Sequence, residues 1–198
     1  MAKAEVRKTS QIWPNHLKLF YQIGVHTMDT VAIFGVQFIL SLIVFALIFK
    51  WHVTLWLSGK PIKIALGILI LPHAFRHIGL TFLTPAVVSE AMPSAFATAA
   101  GYGDFISGLL AIVALLALQK DWTSAIGIVW VFNIVGSVDL LNALRQVEAV
   151  PHFGAAWYIP TFLVPLLIVT HVMVFVRLVK RNQTNLHAPQ SHPSTSPC

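Results

Sequence analysis

Residues 31–49 read VAIFGVQFILSLIVFALIF, nineteen positions without a charged side chain. A helix rising about 1.5 Å per residue covers the hydrocarbon core of a bilayer with a run of that length. A buried helix of a water-soluble domain has no need of such a stretch, so the chain reads as an integral membrane protein. Lys50, Trp51 and His52 close the run with the charged and amphipathic side chains that favour a headgroup layer.

The whole chain repeats this character. Of its 198 residues 57% are apolar and 10% are charged, whereas about a quarter are charged in ordinary soluble domains. The net charge of +6 is spread over short flanks, including Lys3, Arg7, Lys60, Lys63 and Arg181, without a stripe of interleaved aromatics. That pattern suits membrane anchoring and gives no basis for nucleic-acid binding. The single cysteine, Cys198, excludes a disulfide framework and a thiolate metal cluster.

Further apolar runs follow, each bounded by polar or turn-forming residues. The expected spans cover about 23–49, 62–83, 105–119, 122–144 and 157–179, which gives an all-α integral membrane bundle of five transmembrane helices. Residues 1–22 read as a polar, interfacial segment, 23–181 as the membrane domain and 182–198 as a disordered tail. Residues 85–103 read as a loop with a short interfacial helix. Lys120 and Asp121 leave so short a connection that the third and fourth spans form a hairpin. A multi-pass protein of the cell membrane is the expected location.

Polar side chains recur inside these spans at matching depths. Measured from the face where the first span begins, helical rise puts His26 about 5 Å, Asp29 about 9 Å, His77 about 9 Å, Arg76 about 11 Å and Asp139 about 8 Å deep. Asp104 opens the third span on the same face. Ionisable groups in hydrocarbon are costly unless they pair or reach water. A shared polar pocket is therefore expected, with His26 and Asp29, and His73 and His77, each on one helix face. His73 and His171 lie deeper and are expected to meet across the core.

Several chemistries use these residue types. Haem b fits His73 and His171 as axial ligands with Arg76 on a propionate, which would make the protein a membrane redox or electron-transfer protein. A non-haem metal fits His73 and His77 completed by His26 or His171 and Asp29. Without a cofactor, Asp29, Asp104 and Asp139 offer acid–base catalysis on a lipophilic or quinone-like small molecule, walled by Phe34, Phe38, Phe75, Phe82, Trp130 and Phe132. A proton-conducting or structural subunit, an oligomer and a partner membrane subunit are the non-enzymatic alternatives.

The plainer roles are equally specific. Asp104, beside Gly101 and Gly103, fits the N-terminal cap of the third span. Arg76 and Asp139 fit a buried ion pair that fixes helix order. The stretches GYGD (Gly101–Asp104), NIVGSVD (Asn133–Asp139) and IPTFLVP (Ile159–Pro165) stand out from the apolar background without a chemistry of their own.

Overall fold

The computed structural model describes residues 29–186. His26, the interfacial segment 1–22 and the tail beyond 186 lie outside the described residues. The described chain is helical and contains five helices long and apolar enough to cross a membrane. We label these α1 (Thr30–Ser58), α2 (Ile62–Leu83), α3 (Ser94–Gln119), α4 (Ala125–Leu144) and α5 (Val164–Leu186). A 3₁₀ turn at Gly154–Trp157 and a π-helical turn at Ile159–Leu163 run into α5, so that the fifth apolar span covers Gly154–Arg181.

The surface of these helices explains the composition. No residue of Thr30–Ile48 is buried, and large apolar side chains such as Leu40, Val44, Ile106, Val138 and Phe162 stand exposed. A water-soluble monomer does not carry so much contiguous apolar surface, whereas hydrocarbon solvates it. Inside, α2 to α5 close around Leu66, Leu69, Ile70, Ala111, Ala114, Val129 and Val174.

Small residues let α3 approach its neighbours. Ala97, Ala100, Gly101, Asp104, Ser107, Gly108, Ala111 and Ala114 are all buried, a stripe at helical spacing that brings backbones together. A Cβ on Gly108 would lie 3.3 Å from the backbone nitrogen of His77. The same small residues carry the helix back to Ser94. The expected loop over 85–103 is therefore shorter than read, and Asp104 lies well inside α3 instead of capping it; the capping position is Pro93.

α3 and α4 form the expected hairpin. The turn that joins them passes through Asp121 at φ 55°, a left-handed conformation that aspartate tolerates better than most residues. Lys63 of α2 ties this turn down by an ion pair to Asp121. At the opposite end the α2–α3 and α4–α5 connections bond to each other, through Ser89 N–H to the His152 carbonyl at 3.0 Å and Ala155 N–H to the Val87 carbonyl at 2.8 Å. Gly154 makes that approach possible: its φ is 52°, and a Cβ there would strike the Val87 carbonyl oxygen.

One departure from ordinary helix geometry sets the site. After Ile70, just before Pro72, α2 tightens into a 3₁₀ helix over Leu71–Leu83. Such runs rarely exceed a turn. With three residues per turn, side chains at i and i+3 eclipse, and the buried residues of this segment are His73, Arg76, Gly79 and Phe82. They form one line down the inner face. The i+4 pairing of His73 with His77 fails for this reason, and His77 turns outward, exposed, with its Nδ1 3.1 Å from the Ala74 carbonyl.

Candidate functional site

Arg76 is the hub of the buried polar residues. Its side chain is wholly buried, and a guanidinium there needs every donor satisfied. Nε and Nη2 each lie 2.7 Å from Asp104 Oδ1. Nη2 also donates to Asp139 Oδ2 at 2.5 Å, and Nη1 to the Gly136 carbonyl at 3.1 Å. α2, α3 and α4 are thus joined through one side chain.

Three glycines make room for this cluster. A Cβ on Gly79 would collide with the Asp104 carboxylate, and one on Gly103 with the Asp139 carboxylate. A Cβ on Gly136 would lie 2.9 Å from His171 Nε2 and 3.0 Å from Arg76 Nη1. The histidine and the guanidinium therefore border the same small space. The motifs that stood out now have a geometric meaning: GYGD supplies a clearance and one carboxylate, and NIVGSVD supplies Asn133, Gly136 and the other carboxylate.

Deeper along the line lie His73 and His171, with ring centroids 4.1 Å apart. Phe132 packs against both rings, at 5.1 Å and 5.3 Å. Asn133 donates from Nδ2 to the His171 carbonyl, which turns its Oδ1 toward His171 Nδ1 at 2.7 Å. The network thus assigns the proton of His171 to Nδ1. Thr170 sends its hydroxyl proton to the carbonyl of Leu166 or Leu167, so its oxygen, 2.8 Å from His73 Nε2, accepts from that nitrogen. The remaining ring nitrogens, His73 Nδ1 and His171 Nε2, are buried lone pairs without a hydrogen-bond partner among the described residues. The buried hydroxyl of Ser107, one turn along α3 from Asp104, is in the same condition.

A cavity of about 50 Å³ opens on the other side of the carboxylates. Asp104 and Asp139 form its polar floor, and Phe34, Phe82, Phe96 and Phe153 are among its walls. Phe153 is the centre of that aromatic cluster, with ring centroids 5.5 to 6.0 Å from those of Phe96, Phe82 and Phe34. Beside it Trp157 meets Phe34 edge-on, with ring centroids 5.8 Å apart, and donates its indole N–H to Gln37 of α1 at 2.6 Å.

Of the residues expected to converge, Arg76, Asp104 and Asp139 meet in one cluster, and His73 meets His171. Asp29 does not join them. It lies exposed at the start of α1 and makes no side-chain cap bond. His77 faces outward, and His26 lies outside the described residues. Among the aromatic walls expected, Phe34 and Phe82 line the pocket, Phe75 is exposed, Trp130 packs on Phe175 and Phe132 packs on the histidines. Asn133, Thr170, Ser107 and Phe153 also belong to the site, and no spacing or motif in the sequence marks their roles.

The geometry bears on the cofactor expectations. Metal–imidazole bonds of about 2 Å on both sides of one iron put the ring centroids about 6 Å apart, wider than the contact between His73 and His171. The two rings touch where a porphyrin would have to pass. Among the described residues no three His, Cys, Asp or Glu side chains form a group able to hold a metal ion.

The pattern of a family described as a domain of unknown function (DUF8737) matches residues 33–179. No curated protein and no solved structure matches the chain. The matched stretch takes in the Arg76 cluster, the histidine pair and the aromatic pocket together, and the chain belongs to the DUF8737 family.

Proposed function

We propose that this is a multi-pass protein of the cell membrane, a bundle of five transmembrane helices, whose pocket binds a lipophilic small molecule and exchanges a proton with it. The observation that carries the reading is the order of groups along one line: aromatic walls, then two carboxylates on the pocket floor, then a fully buried guanidinium behind them.

Each group has a distinct role. Asp139, the more exposed of the two carboxylates, gives or takes the proton at the ligand. Arg76 and Asp104 hold it in place, and Arg76 balances the charge that remains after transfer. The aromatic pocket excludes water from the exchange.

A through-membrane proton path has less support. Beyond His73 the interior is filled by Leu66, Leu69, Ile70, Ala111 and Val129, all fully or almost fully buried. The polar line therefore ends inside the bundle, as a binding site does.

The test is turnover. Protein in nanodiscs is incubated with a lipid extract of its native membrane, and the extract is compared by mass spectrometry before and after. A lipophilic compound consumed by the native protein and untouched by an equal amount of folded Asp139→Asn is the expected result. Equal consumption by the two proteins would contradict the reading.

A further inference from the structure

The pocket and the cluster behind it define which ligand head they accept. One guanidinium faces two carboxylates, so the charges do not cancel, and the arrangement is one-sided: both carboxylates line the cavity while the arginine side chain is 0% exposed. No Lys or Arg is among the lining residues. A ligand entering from the membrane therefore meets negative oxygens with no compensating cation on its side.

The walls favour the same sign. Phe34, Phe82, Phe96 and Phe153 surround the space with ring edges and faces, and aromatic faces attract a cation held within about 6 Å of their centroids. An anionic head would meet both the ring faces and the carboxylates unfavourably. A neutral hydroxyl would use only part of the field.

Hydrogen bonding narrows the choice further. A primary ammonium carries three N–H donors and can bond both carboxylates of the floor. A trimethylammonium has no N–H and offers them charge alone. We infer that the pocket binds a long-chain primary amine, its ammonium on the floor formed by Asp139 and Asp104 and its chain running out past the phenylalanines. This rests on the pocket being a ligand site, as the proposed function holds, and adds the class of ligand.

Binding of ¹⁴C-dodecylamine to protein in phosphatidylcholine nanodiscs tests it, by scintillation proximity, with competition by unlabelled dodecylamine, dodecanol, dodecanoate and dodecyltrimethylammonium at equal mole fractions in the bilayer. Dodecylamine should compete at least tenfold better than dodecanol and dodecyltrimethylammonium, and dodecanoate no better than dodecanol. The amine's advantage should vanish in Asp139→Asn and persist in Asp29→Asn, where the removed charge is exposed and away from the pocket. The ranking on the native protein needs no variant to fold. Dodecanol or dodecanoate equalling the amine would overturn the cationic specificity alone. Absence of saturable amine binding would overturn the inference, and the pocket as a ligand site would then stand or fall on the lipid-extract turnover. Amine binding that passes these tests without any lipid turnover would leave the inference standing and count against the acid–base role.

Discussion

Gly103 of α3 faces the carboxylate of Asp139 on α4 with no room for a methyl group between them. The ion pair from Asp139 to Arg76 therefore depends on a side chain that is absent. Gly103→Ala should push Asp139 away from the guanidinium and cost about 3–5 kcal/mol, the range for breaking a buried pair. Gly35→Ala, at a helical position with nothing within 4 Å of a new Cβ, should be neutral or stabilise by up to about 1 kcal/mol. Unfolding in detergent compares the two; equal effects would show that Gly103 is not a clearance for Asp139.

Charge balance across the three helices leads to a second expectation. Arg76→Met leaves two buried carboxylates without their cation and should destabilise by about 3–5 kcal/mol. Adding Asp104→Leu and Asp139→Leu to Arg76→Met should recover most of that loss, since an apolar replacement of a buried ion network is often no less stable than the network. Unfolding midpoints of the single and triple variants decide it. A triple variant as unstable as Arg76→Met would mean that the arginine acts through packing and not through its charge.

The 3₁₀ winding of Leu71–Leu83 predicts which positions are accessible. In bilayers, a lipid-soluble photoactivated diazirine should label Phe75, His77 and Ile78 and should spare Gly79 and Phe82. His77→Ala should change stability by no more than about 0.5 kcal/mol. Protection of position 77 would restore the α-helical face shared with His73.

Much of this architecture was legible from residues alone, and the failures have physical causes. Apolar runs revealed the spans because hydrocarbon admits few charged side chains. Matching depths brought Arg76 to Asp139 and His73 to His171. His77 leaves the inner face because α2 winds more tightly beyond Ile70, a change of period that an α-helical spacing does not anticipate. Asp104 fits a cap as well as the pocket because the run from Ala95 to Ala100 is short and polar at its ends; Ala97 and Ala100 instead pack α3 against its neighbours. The roles of Asn133, Thr170 and Phe153 depend on contacts between helices distant in sequence, which periodicity does not encode.

The contact between His73 and His171 bears on cofactor content. Detergent-purified protein is expected to show no reduced-minus-oxidised haem bands that depend on these two residues, because their rings are too close to flank a porphyrin. Bands that disappear in His73→Ala or His171→Ala would contradict this and require the pair to separate.

The central claim is that Asp139 meets the ligand while Arg76 holds it from behind, and infrared difference spectroscopy reads that carboxylate directly. In nanodiscs with ¹³C-labelled aspartate, adding dodecylamine should produce an isotope-shifted carboxyl difference band that survives Asp29→Asn and is absent in Asp139→Asn. A native spectrum unchanged by the amine, or a band that persists without Asp139, would contradict it.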